Sequence, residues 1–393
     1  MQQLPAFSSE PMPNGTPCQR HDAAGVCELP HASVGHEQTP QPVRLVSVDA
    51  LRGLTVGAML LVNNPGDWEH IYAVLKHAPW HGATPTDLVF PFFLFLVGVS
   101  IALGPVRQLQ YGHHRTMLVH SMLWRMVRIV GLGLLLHMCF FLVIEPAYFR
   151  IFGVLQRIGL CFIVAGAMAV YTTSRTQWIF IVYILLGYWW ATAWGGSSSA
   201  TDNLESRLDT ILLGPYAYIF DPLTGVAFDP EGLLSSLPAI ASTMIGVRVG
   251  MWLQEKRISL LLVAAITSII IGELWSIYHP FNKNLWTSSY VVWSAGWAGL
   301  FLAFLYELMD KRSFPALGRS LGVNAIAVYA GSSVMAIIMA KMQWGLMLYT
   351  QYFGWLLAWL GPYAASASYA FCFLGWWWLI AFVLDQYRIY FKI

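Results

Sequence analysis

The segment at residues 76–91 contains the residue types from which acid–base chemistry is built, namely His77, His81 and Asp87. A carboxylate that accepts a hydrogen bond from an imidazole fixes its tautomer and raises its basicity, as a general base requires. A structural alternative exists, because Thr84 can cap the next helix and Asp87, three residues later, would complete a capping box. Sequence spacing leaves both interpretations open.

Two pairs of ionisable residues at helical spacing point to an anion site. Asp49 and Arg52 stand three apart in the first apolar segment, and Arg125 and Arg128 stand three apart in the third. Residues three apart share a helix face, and charged groups within apolar segments tend to face cavities or partners. The three arginines are therefore candidates to bind phosphates from two helices. The alternative is that they are anchors whose charges reach the membrane surface.

Further polar residues lie where apolar segments begin or end. They are candidates for contacts to a polar substrate, or for structural hydrogen bonds and salt bridges. For Arg157 the structural alternative is a buried salt bridge to Asp229 or Glu231. The candidates of this kind are Asn63, Arg157, Asp229, Glu231, Asn282 and Asn284.

These residues belong to a very apolar chain. Of its 393 residues, 57% are apolar and 11% are charged, whereas a soluble domain carries about 25% charged residues. Apolar stretches of about 18 or more residues recur, and each can cross a hydrocarbon core of about 30 Å. They are continuously apolar rather than alternating, which excludes an outer-membrane barrel. The predicted fold class is all-α, a polytopic integral membrane protein of about ten transmembrane helices.

Hydropathy and turn signals predict where these helices lie. Lys and Arg concentrate in short loops on one side, which predicts that both termini are cytoplasmic. The long acidic segment 195–231 suits an exported loop, and the Trp-rich segment 341–363 suits a helix at the interface or dipping back. The predicted spans are residues 46–65, 86–104, 118–143, 154–172, 177–194, 232–252, 259–278, 287–308, 320–340 and 364–385.

The N-terminal residues 1–42 differ from the rest, being rich in Pro, Gln, His and Gly without an apolar run. They lack the hydrophobic core of a secretory signal, and we expect a disordered tail followed by a transmembrane domain at residues 43–393. The five cysteines show no metal-ligand spacing, so no metal is expected. The formal net charge of +2, with no basic domain, predicts no nucleic-acid partner.

Several motifs resemble those of the heparan-α-glucosaminide N-acetyltransferase family, which includes the lysosomal enzyme and bacterial relatives. They occur in the family's order, and the resemblance extends from about residue 44 to the last residue. The motifs are residues 44–53, 76–91, 153–157, 229–232, 282–286 and 391–393.

The resemblance implies a multi-pass acetyltransferase of a bacterial inner (plasma) membrane. It implies acetyl-CoA as a co-substrate taken from the cytoplasmic side, and a sugar amine acetylated at the other face. The family's active-site histidine corresponds to His77, whereas His81 takes no catalytic role. Because the lysosomal enzyme's large lumenal domain has no counterpart here, we expect a small amino sugar as acceptor. Both a monomer and a homodimer remain open.

The resemblance also leaves mechanistic alternatives. His77, oriented by Asp87, is expected to act as a general base, and a covalent acetyl-imidazole on His77 is the alternative. A rival from another class is a secondary transporter of sugars or cell-wall fragments, since polar groups among apolar helices also line transport pathways. A second rival is an O-acetyltransferase acting on an envelope glycan.

Overall fold

The computed structural model describes residues 45–145, 149–196, 198–200 and 202–391. The predicted tail at residues 1–42 lies outside the described residues. The described chain is mostly helical with almost no sheet, as the long apolar segments predict. Its helices are α1 (Val46–Asn63), α2 (Val89–Ile101), α3 (Arg107–Gln110), α4 (Arg115–Val143), α5 (Val154–Tyr171), α6 (Ser174–Trp194), α7 (Leu204–Leu212), α8 (Ser236–Gln254), α9 (Ile258–Ser276), α10 (Ser288–Leu305), α11 (Arg319–Val323), α12 (Ala325–Lys341), α13 (Trp344–Leu348) and α14 (Gly354–Gln386).

Shorter elements complete the description. The acidic segment after α6 contains α7 and a two-stranded antiparallel hairpin, in which β1 (Ile219–Phe220) pairs with β2 (Ala227–Phe228). The Trp-rich segment 341–363 is largely helical and extends into α14, which breaks at Gly361, where φ is +79°. Single 3₁₀ turns lie at Ala73–Leu75, Pro85–Leu88 and Gly214–Tyr216, and π-helical turns at Ala102–Val106, Tyr306–Lys311 and Tyr349–Phe353.

Within the described ranges, eight helical segments are long and apolar enough to cross a membrane. This confirms the all-α, polytopic membrane class. The two remaining predicted spans correspond to α6 and to α12, which has 17 residues. The number ten and the cytoplasmic placement of both termini stay predictions.

The helices differ in how deeply they are buried. The apolar window of α8 is 78% buried, and those of α1 and α5 are 61% buried, whereas α4 and α9 bury only 17% of theirs. Helices α1, α2, α5 and α8 therefore form the interior of the bundle. The more exposed α4 and α9 pack against α5 and α10, respectively.

Glycines allow two interior helix pairs to touch through their backbones, as is common between membrane helices. A Cβ at Gly98 of α2 would lie 1.9 Å from the carbonyl oxygen of Thr243 in α8. A Cβ at Gly53 of α1 would lie 1.8 Å from the carbonyl oxygen of Gly318, just before α11. These close contacts set the spacing of the helices that surround the candidate site.

The start of α1 is fixed by a distant carboxylate. Asp310 accepts hydrogen bonds from the backbone amides of Val46, at 2.9 Å, and Ser47, at 3.1 Å. These amides have no partner within the helix, and a carboxylate there also suits the helix dipole. Asp310 thus anchors the helix that carries Asp49 and Arg52.

Candidate active site

His77 and Asp87 form a hydrogen-bonded pair. The Nδ1 atom of His77 lies 2.6 Å from Oδ1 of Asp87. An ionised carboxylate only accepts hydrogen bonds, so Nδ1 carries the proton and Nε2 is left with its lone pair. The His77 side chain is 47% exposed, whereas that of Asp87 is 2% exposed. The pair therefore presents one basic nitrogen from a buried support.

Asp87 also has the structural role that the sequence left as an alternative. Its Oδ2 accepts hydrogen bonds from the backbone amides of Thr84, at 3.0 Å, and Ala78, at 3.1 Å, and it takes part in a capping box with Thr84. One carboxylate therefore both caps the turn that precedes α2 and orients the imidazole. The two interpretations are compatible, because the two carboxylate oxygens serve different donors.

Lys283 completes this cluster from the loop between α9 and α10. Its Nζ lies 3.2 Å from Nδ1 and 3.4 Å from Nε2 of His77, and 3.9 Å from Oδ1 of Asp87. Burial lowers the pKa of Lys283, and the carboxylates of Asp87 and Glu231 oppose that shift. Sequence reasoning missed Lys283, although it stands between two asparagines that it singled out.

Several contacts hold the two loops together. The amide of Gly82 donates to the carbonyl of Phe281 at 2.8 Å, and the hydroxyl of Tyr290 donates to the carbonyl of Asp87. Gly82 has a φ of +108°, a conformation that other residues rarely adopt. The position of Lys283 relative to His77 therefore depends on the packing of α10 against the loop before α2.

A cavity of about 620 Å³ connects this cluster to the predicted anion site. Both Arg52 and Asn63 line it, and they stand 11 positions apart in α1, which is about 16 Å along a helix. Between them, Val56 and Met59 contribute apolar walls. The cavity therefore runs along most of α1 and carries polar groups towards both of its ends.

The predicted cationic residues line the same cavity. Arg52 donates to Asp49 at 3.0 Å and to the hydroxyl of Ser100 at 2.7 Å. The guanidinium of Arg125 lies 5.2 Å from the centre of the Phe162 ring, and Nε of Arg128 donates to the carbonyl of Trp124 at 3.3 Å. Three arginines from α1 and α4 thus line one cavity, and their role in binding phosphates stays a prediction.

Glu231 and Asn63 also line the cavity. Glu231 forms an ion pair with Arg150. Burial alone would raise the pKa of Glu231, but the charge of Arg150 lowers it below its ordinary value. Glu231 therefore stays ionised beside the cavity, where it can accept hydrogen bonds from a polar substrate.

Other residues that were candidates for substrate or structural contacts lie outside the cavity lining. Asn282 is fully buried, and its Oδ1 accepts the amide of Leu285 at 3.0 Å within the loop turn. Asp229 is 1% exposed and accepts two hydrogen bonds from Arg150, at 2.6 and 3.0 Å. Among the residues that the structure describes, the cavity lining does not include Arg157, Asp229, Asn282 or Asn284. The geometry gives the first three structural contacts instead.

The partner proposed for Arg157 also differs. Arg150, rather than Arg157, makes the ion pairs with Asp229 and Glu231. Arg157 is 1% exposed, donates to the carbonyls of Pro230, at 2.7 Å, and Gly232, at 3.3 Å, and lies over the Trp286 ring. Hydropathy could not distinguish the two arginines, because the choice depends on how the hairpin segment folds back over α5.

Comparisons with known proteins agree with the motifs. A family model described as "Heparan-alpha-glucosaminide N-acetyltransferase, catalytic" matches residues 44–273, which is more than half of the chain. The human protein named heparan-alpha-glucosaminide N-acetyltransferase is 28% identical over 369 residues, covering 75% of this chain and 53% of its own length. The mouse protein of the same name is 26% identical over 426 residues, covering 89% of this chain and 60% of its own.

The chain thus spans little more than half the length of these two relatives. His77, Asp87 and the three cavity arginines fall inside the matched family region, whereas Lys283 lies beyond it. The matched region also includes most of the helices that enclose the cavity. This protein belongs to the heparan-α-glucosaminide N-acetyltransferase family, whose catalytic model matches its residues 44–273.

Proposed function

We propose that this protein transfers an acetyl group from acetyl-CoA, on the cytoplasmic side, to the amine of a glucosamine-type sugar on the other side of a bacterial inner membrane. The observation that carries the proposal is that His77 and three arginines line one cavity. A long, anionic donor fits a cavity with cations at one end and a base at the other. The names of the two relatives support the same reaction class.

The arginines would hold the phosphates of coenzyme A. Guanidinium groups bind phosphate through charge-assisted hydrogen bonds, often two at a time. The apolar stretch of the cavity between Arg52 and Asn63 would then enclose the donor's extended arm, whose end carries the thioester. In this arrangement the acetyl group reaches His77 while the phosphates remain near the opposite face.

His77 would act as the general base. A protonated amine cannot attack a thioester, and Nε2 of His77 can accept the amine proton because Asp87 holds Nδ1–H. Proton transfer of this kind typically contributes about 10²- to 10⁴-fold in rate. Glu231 and Asn63, which line the same cavity, would form hydrogen bonds with the sugar hydroxyls.

Direct transfer is the mechanism that we propose, with the acetyl-imidazole route as its alternative. Protein incubated with labelled acetyl-CoA in the absence of sugar distinguishes the two. Direct transfer predicts unlabelled protein and no release of coenzyme A until sugar is added. Stable label on His77 would instead establish the covalent route.

The test of function uses purified protein in detergent with labelled acetyl-CoA and a panel of amino sugars. We expect an N-acetylated glucosamine product. Its amide bond resists mild alkali, whereas an O-acetyl ester is hydrolysed. His77→Ala should lower the rate at least about 100-fold, while His81→Ala, an exposed histidine in the same loop, serves as the matched control. Uptake of sugar into vesicles without consumption of acetyl-CoA would instead identify a transporter.

A further inference from the structure

The ammonium group of Lys283 lies beside the imidazole of His77, with Nζ within 3.4 Å of both ring nitrogens. We propose that Lys283 is a further catalytic residue, which stabilises the negative charge that forms on the acetyl carbonyl oxygen when the amine attacks. The inference rests on the acetyl transfer proposed above. It assigns a role to a residue that the base and the phosphate site leave unexplained.

Geometry places the charge within reach of Lys283. A general base takes a proton from an atom about 3 Å away, so the attacking amine lies next to Nε2 of His77. The carbonyl carbon bonds to that amine, and its oxygen is one further bond away. Because Nζ of Lys283 is 3.4 Å from the same Nε2, an oxygen in this space can approach the ammonium group.

The reaction step balances with these groups alone. The amine nitrogen forms a bond to the thioester carbon, the π electrons move to oxygen, and His77 takes the amine proton. When the carbonyl re-forms, the carbon–sulfur bond breaks and the departing thiolate takes the proton from His77. Lys283 keeps its proton throughout and offsets the oxygen charge while it exists.

The surroundings of Lys283 favour such a role. The side chain of Lys283 is 26% exposed. Its loop is held by the turn at Asn282 and by the backbone amide of Trp286, which donates a hydrogen bond to the carbonyl of Lys283. A charge in a water-poor site acts more strongly than one in bulk water. A donor held in place before the reaction also needs no reorganisation when charge develops.

The first test compares three single variants in the acetylation assay. Lys283→Met removes the charge and should lower kcat about 10²- to 10³-fold, with little change in the KM for acetyl-CoA. Lys283→Arg keeps a positive charge and should retain most of the rate. Lys76→Met, which changes an exposed lysine next to His77, should match wild type. A thermal unfolding scan checks that each variant is folded.

A second measurement needs no neutral variant. The rate of wild type should fall at alkaline pH, when Lys283 loses its proton. The fall should begin at a lower pH than for an ordinary lysine, because burial lowers the pKa of Lys283. Lys283→Arg should extend activity to higher pH, since guanidinium does not deprotonate there. The other groups that face Lys283 are His77, Asp87 and Glu231, and they are the same in both proteins.

Each outcome decides the matter. If folded Lys283→Met keeps kcat within about threefold of wild type, or Lys283→Arg is as slow as Lys283→Met, the ammonium charge has no catalytic role. Alkaline profiles that coincide for wild type and Lys283→Arg also overturn the inference. If wild type and Lys76→Met acetylate no amino sugar, the proposed function itself fails, and the role of Lys283 fails with it.

Discussion

Oδ1 of Asp87 lies 2.6 Å from Nδ1 of His77, and Oδ2 of the same carboxylate accepts the amide of Thr84 at 3.0 Å. One side chain therefore links the orientation of the imidazole to the turn that begins α2. Because Asp87 is 1% exposed, water cannot easily replace it. The tautomer of His77 that the proposed mechanism requires is thus tied to a structural cap.

Asp87→Asn should separate these two functions. The Asn carbonyl can accept the amide of Thr84, but its NH₂ group faces His77 and favours the wrong tautomer. We expect kcat to fall about 10²- to 10⁴-fold, with a much smaller change in the KM for acetyl-CoA. Steady-state kinetics with both substrates measure this change. If Asp87→Asn kept wild-type activity, Asp87 would not orient His77 for catalysis.

Neutral variants of the cavity arginines should weaken binding of the donor. A hydrogen bond to a charged group contributes about 1.5–3 kcal/mol, so Arg125→Gln or Arg128→Gln should raise the Kd for coenzyme A about 10- to 100-fold. Equilibrium binding of coenzyme A to detergent-purified protein measures this without relying on turnover. Arg107→Gln, near the exposed Tyr111, is the matched control, and equal affinity in all four proteins would refute the phosphate site.

Gly98→Ala should destabilise the bundle, because its Cβ would lie 1.9 Å from the carbonyl oxygen of Thr243 in α8. Overpacking of a well-packed interior costs about 1–3 kcal/mol, so the Tm in detergent should fall. Gly375→Ala in α14 is the control, since nothing lies within 4 Å of its added Cβ. Equal Tm values for the two variants would show that α2 and α8 separate readily.

The pH dependence of stability should carry a signature of Asp209 in α7. Burial raises the pKa of Asp209 from 3.8 to about 7. Between pH 3.8 and about pH 7, Asp209 is therefore protonated in the folded state and ionised in the unfolded state. The contribution of this group to stability is therefore present at acid pH and is lost as the pH rises towards 7. Asp209→Asn, which does not titrate, should lack that loss.

Unfolding measured from pH 4 to pH 8 in wild type and Asp209→Asn tests this. Subtracting the two curves removes the opposite contribution of Glu231, whose pKa lies below its ordinary value. The difference should change between about pH 4 and pH 7 and stay constant above it. A flat difference would mean that folding does not raise the pKa of Asp209.

Much of this molecule could be predicted from local sequence. Long apolar runs predict membrane helices because backbone polar groups must be satisfied within each span. Helical spacing also predicted that Arg125 and Arg128 share a face, and both line the cavity with Arg52. The resemblance pointed to His77, the residue types pointed to a pairing of Asp87 with a nearby histidine, and the structure places Asp87 2.6 Å from His77.

What the sequence could not distinguish were choices between groups of the same type. Arg150 rather than Arg157 forms the ion pairs with Asp229 and Glu231. Arg150 lies just before α5, and Arg157 lies in its first turn. Asn282 and Asn284 were candidates for substrate contacts or for structural hydrogen bonds, and Asn282 is buried in its turn. Such choices depend on a difference of a few ångströms in side-chain position, which composition and periodicity do not encode.

The sequence by itself determined that this protein lies in a membrane, that it is helical and which residue types are available for chemistry. These properties follow from local hydropathy and spacing. Only the tertiary structure decided which polar groups meet. Lys283 reaches His77 across 206 positions of sequence, and it does so because the packing of α10 brings two distant loops together. Contacts of this kind arise from the path of the whole chain and from no single segment of it.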